Sequence, residues 1–187
     1  MVLLLLSSVA LAAPEFGADL SAGIAAGALL GDWPVPGVHG AWTVRYDAFL
    51  DDRSSGGPRL GLSVIGTGSA FPKQRRRELD DEGQSDEAPF TFLEYGVLAI
   101  LQTEPEDPWG ATFGLGLTRL DLSDYYGGRH AVPVFNLEAA LRQRLGETWL
   151  YVDYGLRTGW GSAGGPDGDW EDWWTLRAQI SLGFHLR

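Results

Sequence analysis

Trp174-Thr175-Leu176-Arg177-Ala178-Gln179-Ile180-Ser181-Leu182-Gly183-Phe184-His185-Leu186 decides the fold. Trp174, Leu176, Ala178, Ile180, Leu182, Phe184 and Leu186 share one parity. Thr175, Arg177, Gln179, Ser181, Gly183 and His185 share the other. An extended chain places these two sets on opposite faces; a helix, at about 3.6 residues per turn, would mix them.

The same alternation recurs upstream. Trp42, Val44, Tyr46, Ala48 and Leu50 oppose Ala41, Thr43, Arg45 and Asp47. Trp109, Ala111, Phe113, Leu115 and Leu117 oppose Gly110, Thr112, Gly114, Gly116 and Thr118. Phe135, Leu137, Ala139 and Leu141 oppose Asn136, Glu138, Ala140 and Arg142, and Leu150, Val152, Tyr154 and Leu156 oppose Tyr151, Asp153, Gly155 and Arg157. Three further segments, Asp19–Leu30, Arg59–Ala70 and Phe90–Leu101, alternate less cleanly: Ile65 breaks the rule in the second, and Phe92, Leu98 and Ile100 blur the third. Together they predict about eight strands of ~10–13 residues, against ~5–6 in ordinary globular strands and ~9–11 in strands that cross a bilayer.

The connections fall into two classes. Asp51–Pro58, Gln102–Pro108 and the turn near Gly146-Glu147 are short, whereas Phe71–Pro89, Ser123–Ala131 and Gly159–Asp172 are longer. Gly31–Gly37 is short but belongs by position with the second class. Counted from the N-terminus, each class falls at one end of an up-and-down barrel, the pattern of bacterial outer-membrane barrels. Phe71–Pro89 carries a basic run, Lys73-Gln74-Arg75-Arg76-Arg77, followed by Glu78, Asp80, Asp81, Glu82, Asp86 and Glu87, and reads as a solvated mobile loop.

Composition agrees. The chain holds 26 Gly, 8 Trp, 6 Tyr and 8 Phe in 187 residues, which suits strands and turns. A net charge of -11 argues against a nucleic-acid partner, which needs a basic surface. With no Cys, neither a disulfide nor a thiolate site is possible. Residues 1–12 read as a signal peptide: Val2 to Leu11 is almost wholly apolar and ends in Ala10-Leu11-Ala12, a small-x-small cleavage pattern. That run is too short to span a bilayer as a helix, which needs ~20 residues. Residues 13–187 are then one barrel domain.

At this point residues 18–187 resemble the small eight-stranded outer-membrane barrels of the OmpA/OmpX type. The resemblance is one of pattern: a targeting segment, alternation, connection asymmetry, and aromatics near strand ends such as Trp42, Trp109, Trp149, Tyr154, Trp160, Trp170, Trp173 and Trp174. The C-terminal alternating strand also fits, with Phe184 in the place of the family's terminal aromatic. The resemblance implies an all-β, closed antiparallel transmembrane barrel in the bacterial outer membrane. It also implies lipid and lipopolysaccharide around the wall and insertion by the barrel-assembly machinery. The extracellular ligand is not readable from the sequence.

With the apolar face outward, the other face carries Arg45, Asp47, Glu94, Glu138, Arg142, Asp153, Arg157 and Arg177. An eight-stranded barrel has an interior just wide enough for side chains, so these charges are expected to pair as an ion-pair network rather than line an open pore. Glu138, Arg157 and Arg177 fall at similar depth on successive strands and are expected to pair with one another and with Asp153. Gly23, Ala25, Gly114, Gly116 and Gly155 would leave room for the Arg side chains. Two other functions compete with a structural or loop-binding barrel. A lipid A-modifying enzyme could use Ser123, Asp124 and His130, or His39, at the outer rim. No tight motif joins these residues, so no catalytic residue is assigned. A soluble secreted barrel of lipocalin type would turn the apolar face inward instead. Gly164-Gly165-Pro166-Asp167-Gly168-Asp169 does not match the Ca²⁺ loop spacing, and nothing points to a metal or cofactor.

Overall fold

The long alternating segments form strands, and the strands close on themselves. The computed structural model describes residues 17–31, 38–50, 58–69, 74–79, 85–103, 108–123, 129–146, 149–164 and 170–186. The N-terminal segment read as a signal peptide lies outside them. Ten strands follow in chain order: β1 Ala18–Gly31, β2 Val38–Phe49, β3 Arg59–Ser69, β4 Gln74–Leu79, β5 Ser85–Phe90, β6 Phe92–Gln102, β7 Trp109–Ser123, β8 Arg129–Arg144, β9 Leu150–Gly164 and β10 Trp170–Leu186. Eight of them close a barrel in the order β1-β10-β9-β8-β7-β6-β3-β2, with every neighbouring pair antiparallel. Closure leaves no unpaired edge, the condition a sheet must meet to cross a bilayer.

β1 begins and β10 ends at one end of the barrel, the terminal end, since Ala18 pairs with Leu186. The strand ends flanking each turn there are joined through the backbone. Leu50 N donates to Leu60 O at 2.9 Å, Thr103 N to Ala111 O at 2.8 Å and Leu145 N to Leu150 O at 3.0 Å. Phe49 N donates to Gly17 O and His185 N to Trp149 O, both at 2.9 Å. The connections around Phe71–Pro89 and Gly159–Asp172 leave from the opposite, far end, because β3 and β9 run in the same direction.

Two connections are more structured than the sequence suggests. Within Phe71–Pro89, β4 and β5 pair as a hairpin with Arg77 opposite Glu87 and Arg76 opposite Ala88. The basic run and the later acidic residues lie on facing strands, where opposite charges favour cross-strand pairing. Gly159–Asp172 is also mostly strand, as β9 continues to Gly164 and β10 begins at Trp170.

The apolar parity faces outward. Leu115 is 54% exposed, Leu137 51%, Ile180 53% and Leu182 56%, with Val152 half-exposed. This arrangement excludes the lipocalin-type reading, in which these residues would be inside. Along β7, outward residues from Trp109 to Leu117 span about 20 Å at the usual strand rise and barrel tilt. Trp109, Trp149 and Leu150 flank this band at the terminal end, and Trp42, Tyr95, Trp160 and Trp174 toward the far end, all at least two-fifths exposed. Trp173 departs from the expected girdle: it points inward and is buried. The breaks in alternation have the same cause. Ile65, Phe92, Leu98 and Ile100 are buried apolar residues inside the barrel, so the interior is not uniformly polar.

Leu137 lies mid-way along β8 on this outward wall. Leu137→Arg should destabilise protein refolded into lipid vesicles by about 2–4 kcal/mol, the cost of a cation near the bilayer midplane. Urea unfolding monitored by tryptophan fluorescence reads this, and an unchanged midpoint would show that the wall faces water.

Candidate functional site: the barrel interior

Inward residues of a narrow barrel have only one another to contact, so buried charges there must find partners across the lumen. Arg45, Asp47, Glu94, Glu138, Arg142, Asp153, Arg157 and Arg177 are all buried on the inward parity of their strands. Three more charged or titratable residues join them: Asp19, Arg59 and His185.

The contacts form one connected ladder. At the terminal end His185 Nδ1 meets Asp19 Oδ1, and Asp19 Oδ2 accepts from Arg142 Nη1. Arg142 also grips Asp153 with two parallel bonds, Nε to Oδ1 at 2.8 Å and Nη2 to Oδ2 at 2.9 Å, the strong fork geometry of a guanidinium on a carboxylate. Its plane lies over the Tyr151 ring at 3.7 Å. Arg142 Nη2 is 3.7 Å from Asp47 Oδ2, and Asp47 accepts from Arg45 Nε at 2.6 Å. Arg45 Nη1 donates to Glu138 Oε1. Above this, Arg157 stands 3.9 Å from Glu138 and 3.8 Å from Glu94, and Glu94 pairs with Arg177. Arg177 lies below Phe92, its guanidinium carbon 5.0 Å from the ring centroid.

Most of these contacts run across the barrel rather than along its wall. β2 and β8 are four strands apart in the ring, as are β6 and β10, so Arg45–Glu138, Arg142–Asp47 and Arg177–Glu94 join opposite walls. Arg157 Nη2 reaches Thr67 Oγ1 on the wall opposite β9, at 2.7 Å. Polar neighbours complete Glu94: Thr118 Oγ1 donates to it at 2.6 Å, and Asn136 Nδ2 lies 3.2 Å away.

Glu138, Arg157 and Arg177 do lie at matched register, Glu138 opposite Arg157 and Arg157 opposite Arg177. Asp153, however, bonds Arg142. Two arginines at directly paired positions repel, and Glu94, reaching in from β6, lies close to both. Space for Arg177 comes from Gly27, its neighbour on β1: a Cβ there would lie 2.6 Å from Arg177 Cγ. Of the small residues expected to make room, Gly23 instead abuts Ser181, Gly116 abuts Leu98 and Gly155 abuts Gln179.

Arg59 lies at the terminal end of the same lumen. It donates to Gln102 Oε1 and lies over the Phe49 ring at 3.9 Å. Asp19 and Arg59 carry the inward parity but begin segments whose alternation is weak, which hides them in the sequence.

The rim residues considered for catalysis do not assemble. Ser123 stands opposite Arg129 and His130 opposite Leu122, so the Ser and His occupy positions of opposite parity. His39 stands on β2, across the ring from β8. Asp124 lies outside the described residues.

The architecture is similar to that of neisserial surface protein A, with a TM-score of 0.52 at 12% sequence identity, covering 91% of this chain and 96% of that one. It is also similar to Ail, the attachment invasion locus protein of Yersinia pestis, solved in complex with the heparin analogue sucrose octasulfate. There the TM-score is 0.51 at 14% identity, covering 91% of this chain and 99% of Ail. No protein-family model and no curated protein matches the chain. With eight antiparallel strands closed on themselves, an apolar wall outside and paired charges inside, the chain has the fold of the small eight-stranded bacterial outer-membrane barrels.

Proposed function

We propose that this chain is an outer-membrane protein whose interior is filled by cross-lumen ion pairs rather than left open as a pore, and whose far-end connections make its contacts outside the cell. The ladder from His185 to Arg177 carries this reading, because it joins opposite walls through the middle of the lumen. An open pore would leave a wide water-filled lumen; here guanidinium and carboxylate side chains meet across it. Outer-membrane lipid and lipopolysaccharide surround the wall, and the barrel-assembly machinery inserts it. The far end then faces outward, and the β4–β5 hairpin belongs to the connections at that end.

A Ser/His enzyme acting on lipid A is disfavoured by the opposite parities of Ser123 and His130. The first test is cellular. The full chain expressed in a Gram-negative host should fractionate with the outer membrane, require detergent for extraction, and migrate faster on a gel when unheated. Recovery in the soluble periplasmic fraction would overturn the assignment.

The second test concerns the ladder. Glu138→Ala leaves Arg45 and Arg157 short of a carboxylate and should cost ~3–5 kcal/mol in the urea unfolding of refolded protein. Arg45→Met should cost less in a Glu138→Ala background than it does alone, because the two contacts are one interaction. Strict additivity of the two substitutions would show that the pair does not couple the walls.

A further inference from the structure

The far third of the lumen differs in kind from the ladder beneath it. Ala25, Leu29, Ala41, Phe92, Leu120, Leu122, Val132, Val134 and Trp173 form one buried apolar cluster. Leu120, Val132 and Val134 have no exposed surface at all. Six of the eight barrel strands contribute: β1, β2, β6, β7, β8 and β10. The members meet from opposite walls. Phe92 on β6 faces β10, which carries Trp173; Leu29 on β1 faces β7, which carries Leu120 and Leu122; the small Ala41 on β2 faces β8, which carries Val132 and Val134. β9 contributes Gly161, where a Cβ would come within 2.9 Å of Val132 Cγ1, so the glycine lets the layer close on that side.

We propose that this apolar layer, rather than the ion-pair ladder, is the barrier that keeps water and ions from crossing the barrel. The proposal rests on the reading of the chain as a closed transmembrane barrel. Buried arginines and carboxylates attract water and can exchange partners, and the ladder retains polar atoms without a protein partner, Arg157 Nε and Arg177 Nη2 among them. A ladder of that kind braces the walls but does not by itself dry the lumen. An apolar constriction offers an ion nothing to replace its hydration shell, and narrow apolar passages gate by dewetting. The layer, drawn from six of the eight strands, lies between Arg177 and the far mouth, so an ion moving along the ladder meets it before reaching that mouth. The cation-π contact of Arg177 with Phe92 marks the boundary between the two regions.

The experiment changes wetting while keeping volume. Val132→Thr/Val134→Thr/Leu120→Asn replaces three fully buried apolar side chains by polar ones of similar size. Purified protein is reconstituted in planar bilayers in KCl, with folding checked by the mobility shift of the unheated sample. Wild type and Glu138→Gln should both be silent, and the polar triple variant should show stepwise currents. A silent triple variant overturns the proposal, as does a conducting Glu138→Gln. Conduction by wild type would instead overturn the closed-barrel reading on which the proposal rests. Should the triple variant fail to fold, hydroxyl-radical footprinting of the wild type in vesicles decides. Phe92 and Trp173 should stay unmodified while Tyr151, in the ladder, is oxidised. Oxidation of Phe92 and Trp173 to the level of Tyr151 overturns the proposal.

Discussion

Arg142 between Asp19, Asp47 and Asp153 is the contact on which the rest of the interior depends. It lies near the terminal end and is buried among carboxylates contributed by β1, β2 and β9. Its burial depends on them, since an isolated ion in a low-dielectric lumen is unstable by several kcal/mol, while Asp19 and Asp47 have second partners in His185 and Arg45. From this point each further charge is placed by the one below. Asp47 anchors Arg45, Arg45 anchors Glu138, and Glu138 and Glu94 hold Arg157 between them. Arg45–Glu138 and Arg142–Asp47 join opposite walls, so these charges are satisfied only once the ring is closed. Strand number and register define which residues can face each other; the ion pairs select that closed arrangement over a flatter sheet, in which the same charges would lie too far apart.

Much of this was legible in the sequence, and the reason is the strict period of the strand. Parity alone separates Arg177 from Leu176 and Glu138 from Leu137, and so identifies inner and outer faces before any contact is known. Partner identity is another matter. Adjacency along the chain suggests that Asp153 serves Arg157 or Arg177 on the last strands, yet Asp153 is bound by Arg142 and Arg177 by Glu94 from the opposite wall. A contact across a diameter joins residues whose separation in sequence carries no periodic signal, such as Arg45 and Glu138. It exists only once the ring closes.

The irregularities in the pattern carried information of a different sort. Ile65, Leu98 and Ile100 looked like faults in the alternation, but together with Phe49 they form a second inner apolar cluster along β2, β3 and β6. Phe92 belongs to the larger one near the far end. An apolar residue on the polar parity is therefore an inner contact. The β4–β5 hairpin is hidden in the sequence for another reason: a charge-rich run reads as solvated loop when taken alone. The opposite sign of the facing run favours pairing only once the register is known.

Main-chain pairing holds the wall along its whole described length, from Ala18–Leu186 at the terminal end to Trp170–Gly164 and Ser123–Arg129 at the far end. What differs along the axis is what fills the lumen inside that wall. Ion pairs are specific: each charge needs its own partner at its own depth, so Arg142, Arg45 and Arg157 fix which residues face one another. Packing of Leu29, Leu120, Val132 and Trp173 is non-directional and asks only that the space be filled. The ladder therefore specifies the arrangement of the walls, and the apolar layer excludes water from it.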